Sequence, residues 1–102
     1  MSFDACQTAV QLGSVDMSIS GFSVTAERAE NYNLSDYYYA GENETEQCII
    51  TTKDNEGKWT KAEDFVGLTV GAQTASLQMN LCNEQLPEGV TIKEFSYIGV
   101  AV

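Results

Sequence analysis

Stretches of helical period alternate with stretches of strand period along the whole chain, and that alternation narrows the fold class more than any single residue. Residues 3–12, FDACQTAVQL, place apolar side chains at Phe3, Cys6, Ala9, Val10 and Leu12, the recurrence of a short helix, and Gly13 is its natural stop. Residues 15–20, VDMSIS, alternate apolar Val15, Met17 and Ile19 with polar partners, so the spacing predicts a strand ended by Gly21. Thr25 is then an N-cap for a helix through AERAENY. An aromatic, extended segment at 34–40, LSDYYYA, leads to an acidic turn at 41–46. The β-branched run QCIITT at 47–52 predicts another strand, followed by a turn cluster at 53–58. The second half repeats the outline: a short helix at 60–67, a strand at 68–73, a helix begun by Ser76 and closed by Pro87 and Gly89, and a strand at 90–98. Alternation of this kind implies an α/β fold with mostly parallel strands flanked by helices.

Composition removes several functions. The chain has 102 residues, the length of one ordinary domain, and a net charge of −10 with a pI near 4.1. Such an acidic chain is a poor partner for nucleic acid, which demands a basic patch, and for an anionic membrane surface. No apolar run approaches the roughly 20 residues of a membrane helix. There is no histidine, so Ser-His-Asp catalysis, Cys-His catalysis and His-ligated metal are all excluded. Cys6, Cys48 and Cys82 form no CxxC pair and no even-numbered framework. They read as small, semi-buried apolar residues. The opening Met1-Ser2-Phe3-Asp4 has neither the basic nor the apolar region of a leader, so localisation is not legible from the chain itself.

The candidate chemistry gathers at two helix starts. Arg28 is the only arginine and falls in the first turn of the helix begun by Thr25, where a cation opposes the helix dipole. Two readings stand. Arg28 is a surface residue paired with Glu27 or Glu30, or it holds an anion together with the free N–H groups of that helix start. The loop before it, Ser20-Gly21-Phe22-Ser23, lies at the carboxyl end of a strand, where open α/β sheets bind ligands. In the second half, Ser76 and the N–H of Leu77 either cap a helix in the ordinary way or turn donors towards the same anion. Phe3 and Phe22 supply an apolar wall or simply pack in the core. A small amphoteric molecule bearing a carboxylate suits two such helix starts facing each other.

These residues resemble a known family. Phe3-Asp4, Gly13-Ser14-Val15-Asp16, Ser20 through Arg28, and Leu34-Ser35-Asp36 with Tyr39 are similar to the pattern of the bacterial extracellular solute-binding proteins of family 3, the amino-acid-binding receptors of ABC importers. The stretch AEDFVGLTVGAQTASLQ resembles the segment that opens the second lobe in that family. The Ser23–Arg28 stretch is the most specific part, and the likeness covers essentially the whole chain. Eukaryotic glutamate-receptor ligand-binding cores share the fold.

The resemblance implies a two-lobed, periplasmic-binding-protein-like fold and no cofactor or metal. Residues 1–46 correspond to the ligand side of lobe 1, 47–58 to the first hinge strand and turn, and 59–102 to the opening of lobe 2. It implies that Arg28 binds the α-carboxylate of an amino acid, aided by the N–H and hydroxyl of Ser23. A carbonyl at Ser20 or Gly21 would accept from the α-ammonium, Phe3 would stack on the ligand side chain, and Ser76 and Leu77 would complete the carboxylate site. Ala75 stands where the family has Gly, and Leu77 where it has Thr, so one hydroxyl is lost. The family's lobes together are more than twice this length, so the resemblance implies a central fragment. The implied partners are an amino acid and a transporter permease, and the implied location is extracytoplasmic, in the periplasm or as a cell-surface lipoprotein. Strands at 15–20 and 68–73 without neighbours predict an intertwined or edge-paired homo-oligomer. The alternatives on the same fold are an enzyme, such as a dehydratase or a lytic transglycosylase-associated domain, and the ligand-binding domain of a sensor kinase.

Overall fold

A computed structural model of the protein describes residues 1–38 and 47–101. The acidic turn expected at 41–46, and Tyr39 and Ala40 before it, lie outside the described residues.

The chain opens with helix α1, Phe3–Gln11. Ser2 caps it, its hydroxyl accepting from the Ala5 N–H at 3.4 Å. Its other end closes as expected at Gly13, whose φ of 69° places it in the left-handed region. The Gly13 N–H reaches the Val10 carbonyl and the Ser14 N–H reaches the Ala9 carbonyl, both at 3.0 Å, which satisfies two carbonyls a helix end leaves open. Helix α2, Ala26–Asn31, starts where Thr25 predicts, with the Thr25 hydroxyl accepting from the Arg28 N–H at 3.1 Å. It runs for only six residues.

The second half forms one strand–helix–strand unit. Strand β1, Thr69–Gln73, is followed by helix α3, Leu77–Gln85, and by strand β2, Thr91–Phe95. The two strands pair in parallel, from Thr69 opposite Thr91 to Gln73 opposite Phe95. A parallel pair cannot be joined by a tight turn, and α3 provides the crossover. Hydrogen bonds beyond both ends extend the register: the Thr91 N–H to the Leu68 carbonyl, and the Thr74 N–H to the Phe95 carbonyl. Along β1 the exposed positions Thr69 and Gly71 alternate with buried Val70 and Ala72, and Met79 of α3 is buried with them. A last turn, α4, spans Ile98–Ala101.

Two expected strands are absent. Residues 15–20 and 47–52 carry strand periodicity but sit in no ladder. A period of two marks a face for burial; it becomes a strand only when a neighbour takes the N–H and C=O groups. No such neighbour lies beside either segment among the described residues, and Met17, Ile19 and Ile50 remain exposed. The helix expected at 60–67 contracts to one 3₁₀ turn, Ala62–Phe65. The Asp64 carboxylate folds back to accept from the Thr60 and Lys61 N–H groups, and Gly67, at φ 83°, ends the turn. The strand expected over 90–98 stops at Phe95.

The core is thin. Among the described residues only Ala9, Val70, Ala72 and Met79 are buried apolar side chains. The radius of gyration is 15.6 Å, against about 13 Å for a compact domain of this length.

Asp64 gives this half a pH signature. Its carboxyl is held below the usual carboxylate range, chiefly by the Thr60 N–H. A carboxyl whose folded pKa is lowered adds stability above its unfolded pKa, near 3.8, and loses it as pH falls through the folded value. Asp64→Asn therefore lowers the melting temperature at neutral pH, and the gap from wild type closes on acidification below about pH 4, as thermal melts across that range will show.

Candidate functional site

Arg28 is the centre of the only cluster in which the two halves of the chain meet through a charged side chain among the described residues. Its position three residues after Thr25 turns it inward, and it is 9% exposed, although arginine is seldom buried. Its Nη1 donates to the Ser23 carbonyl at 2.9 Å and its Nη2 to the Ala75 carbonyl at 3.1 Å. The second bond joins residues 47 apart in sequence. Both acceptors are neutral. The pairing with Glu27 or Glu30 that a surface arginine would make does not occur; both glutamates are exposed.

Phe3 and Phe22 come together. Their ring centroids are 4.6 Å apart at 31°, and the guanidinium carbon of Arg28 lies 5.6 Å from each ring. At that range each ring attracts the cation through its quadrupole. The two rings thus help to fix Arg28.

The helix-dipole reading of Arg28 needs correction. α2 has six residues, so Arg28 stands in its first and last turn alike and faces no developed macrodipole. Thr25, not a ligand, takes the Arg28 N–H. The guanidinium itself, and not the helix start, is the group here able to meet an anion.

The other expected residues divide. Ser23 joins the cluster through its carbonyl, as Arg28's acceptor. The Ser20 carbonyl accepts from the Phe22 N–H at 2.8 Å and from the Tyr38 hydroxyl at 3.3 Å, so it already holds two donors. Gly21 lies between them in the same turn. Ser76 is 3% exposed, and its hydroxyl donates to the Gln73 carbonyl at 2.6 Å while accepting from the Met79 N–H at 3.1 Å. It acts as the N-cap of α3, with its proton committed. Leu77 lines a cavity beside Arg28.

Two features escape sequence reasoning. One is Ala75, which adopts φ 58°, a left-handed conformation unusual for a residue with a Cβ, and so turns its carbonyl to Arg28. The other is that cavity, about 160 Å³, lined by Arg28, Glu27, Gln7, Gln11, Asn31 and Asn80 among others. The spacing of Gln7 and Gln11, one turn apart on α1, was the available signal for a polar face.

Around the site, Asp4 in the first turn of α1 is held below the usual carboxylate range, chiefly by the Ser2 hydroxyl. Burial pushes the Cys82 thiol up, away from thiolate chemistry. No group of three His, Cys, Asp or Glu side chains is placed to hold a metal ion among the described residues.

A buried arginine held by two neutral carbonyls is chemically able to take a small anion-bearing molecule. A sequence profile of the bacterial extracellular solute-binding proteins, family 3, matches residues 1–92, and the chain belongs to that family. It is 34% identical over 88 residues to the arginine-binding extracellular protein ArtP of Bacillus subtilis, covering 86% of this chain and 32% of that protein. It is 32% identical over 79 residues to a probable histidine-binding protein of Campylobacter jejuni, covering 78% of this chain and 29% of that protein. The chain spans about a third of the length of these curated relatives. No solved structure matches it significantly. The family and both relatives are described as binding proteins, not enzymes.

The strain at Ala75 is open to test. A residue with a Cβ in the left-handed region costs roughly 1–2 kcal/mol, and glycine escapes that cost at the expense of a looser unfolded chain. Ala75→Gly raises the melting temperature slightly, whereas Ala75→Val, β-branched in the same conformation, lowers it. Thermal denaturation of the two variants beside wild type reads both signs.

Proposed function

We propose that the chain is the substrate-binding component of an amino-acid ABC importer, and that Arg28 holds the α-carboxylate of the amino acid. The observation that carries this reading is the state of Arg28. It is buried, braced by two aromatic rings, and bonded to two neutral carbonyls, with no carboxylate paired to it among the described residues. A buried charge without a counter-charge is costly, and an anionic ligand relieves the cost. Two of the five N–H donors of the guanidinium are committed, which leaves others for a carboxylate.

Around that anchor, the Ser23 N–H and hydroxyl and the Leu77 N–H add donors to the carboxylate. Ser76 contributes by fixing the start of α3. The Gly21 carbonyl is the better acceptor for the α-ammonium, since Ser20 is already doubly bonded. Phe3, packed on Phe22, contributes an apolar surface for the ligand side chain. Residues 1–46 belong to one lobe, 47–58 to the hinge, and 59–102 to the other lobe. The Arg28–Ala75 bond supports that division, because it joins the first part to the third directly across the ligand anchor. That both relatives are named for amino acids supports an amino acid as ligand. Delivery to a permease and placement outside the cytoplasm, in the periplasm or on a lipid anchor, follow the family. The exposed apolar residues of 15–20 and 47–52 favour pairing with further strands, including those of a second copy.

Arg28→Ala removes one side of a buried charge-assisted pair, a loss of about 2–5 kcal/mol, or some thirtyfold and more in affinity. Arg28→Lys also binds poorly, because an ammonium cannot grip a carboxylate with two parallel bonds. Calorimetric titration of the two variants with amino acids is the measurement, with circular dichroism to show that each is folded. Affinity within about threefold of wild type in folded Arg28→Ala would remove Arg28 as the anchor.

A further inference from the structure

The peptide unit between Ser23 and Val24 is gripped at both edges. Its carbonyl accepts from Nη1 of Arg28 at 2.9 Å, and its N–H donates to the Tyr37 hydroxyl at 3.2 Å. The unit is planar and trans, so the two groups point from opposite edges of one rigid plate. Turning the N–H away from Tyr37 turns the carbonyl away from Arg28. The two bonds also strengthen each other, because a cation on the carbonyl polarises the amide and makes its N–H a better donor. No backbone carbonyl takes that N–H among the described residues. The other ties of this loop are local: the Phe22 N–H reaches the Ser20 carbonyl, and the Thr25 hydroxyl caps the Arg28 N–H. Tyr37 arrives from 13 residues away and gives the plate a fixed point outside the loop. The second acceptor of Arg28 has its own brace. The turn at Ala75 is closed by Ser76, whose N–H and hydroxyl reach the Gln73 carbonyl at 3.3 Å and 2.6 Å. A planar fork is aimed only when both of its carbonyls are held, and on the Ser23 side Tyr37 supplies the hold.

We propose that Tyr37 is a positioning residue for Arg28: its hydroxyl sets the plane of the Ser23–Val24 peptide, and through that plane the direction of the guanidinium. The bearing of this relay on binding rests on the reading of Arg28 as the carboxylate anchor; the relay itself belongs to the protein without ligand. Tyr38, the next residue, does different work. Its hydroxyl donates to the Ser20 carbonyl at 3.3 Å, at the other end of the loop and away from the plate. Tyr37 and Val24 are 60% and 52% exposed, so water competes for their bond and its effect on the guanidinium is graded, not all-or-none.

Nuclear magnetic resonance of wild type, Tyr37→Phe and Tyr38→Phe tests the relay without ligand. Tyr37→Phe keeps the ring and removes only the hydroxyl, and circular dichroism shows that it is folded. Arg28 is the only arginine, so its side chain gives the one arginine signal in a nitrogen–proton spectrum. In wild type the Val24 amide is protected from exchange with solvent. In Tyr37→Phe that amide exchanges faster and the Arg28 signal shifts or broadens, while the melting temperature barely moves. Tyr38→Phe leaves the Val24 amide and the Arg28 signal as in wild type. Calorimetric titration with L-arginine, L-histidine and L-glutamine, each in turn, then shows affinity about fivefold weaker in Tyr37→Phe for each probe that wild type binds, the scale of one net hydrogen bond. An unprotected Val24 amide in wild type would overturn the relay without any variant. So would an unchanged Arg28 signal in folded Tyr37→Phe, or an equal disturbance by Tyr38→Phe, which would make both tyrosines mere ties of the loop. A displaced Arg28 signal with affinity unchanged would keep the relay and count against Arg28 as the anchor. Wild-type binding of none of the probes would overturn the anchor and leave the relay to be decided by the spectra, which need no ligand.

Discussion

The Arg28 guanidinium ties the first half of this chain directly to the second. It reaches back five residues to Ser23 and across 47 residues to Ala75, and two phenylalanine rings bracket it. The loop that carries Ser23 and Phe22 has no strand ladder to fix it, since 15–20 is unpaired. The turn that carries Ala75 sits in a left-handed conformation that the chain would not choose by itself. Both are placed by the same planar fork. Lysine, with one flexible ammonium, could not set two carbonyls and two rings in one geometry.

That dependence follows from how little else is buried. β1 buries two small or medium side chains, α3 buries Met79, and α1 buries Ala9. No described side chain is wholly removed from solvent. With so thin an apolar core, order in the site is local. The Thr25 and Ser76 caps, the Gly13 closure and the Asp64 turn each fix a few residues, and the parallel pair fixes the second half. The site lies where these locally fixed pieces meet, and not on a deep core.

Local signals were legible in the sequence for that reason. Thr25 and Ser76 cap the helices that follow them, Gly13 ends α1, and LTVGAQ becomes β1, all because the cause lies within a few residues of the effect. Phe3, Phe22 and Arg28 stood out in the sequence, though not their mutual contact. VDMSIS and QCIITT misled because period two states which side chains could be buried, not which strand will pair with them. Nothing in alanine itself announces the positive φ of Ala75; the glycine that the resemblance places there was the available signal, and the bonds of Ser76 to Gln73 and of Arg28 to the Ala75 carbonyl hold the turn. The cavity beside Arg28 was hidden, since it is assembled from separate helices whose relative placement no local rule supplies.

The neutrality of Arg28's two partners is the feature that joins structure to binding. A carboxylate in place of either carbonyl would orient the guanidinium as well, but would also satisfy its charge, and an incoming anion would have to displace it. Carbonyls supply direction and leave the charge unmatched. The whole chain carries a net charge of −10, which repels free anions at long range. A carboxylate therefore approaches favourably only as part of a molecule that also carries positive charge. An unmatched arginine set in an acidic chain would, on these grounds, favour amphoteric solutes over free anions.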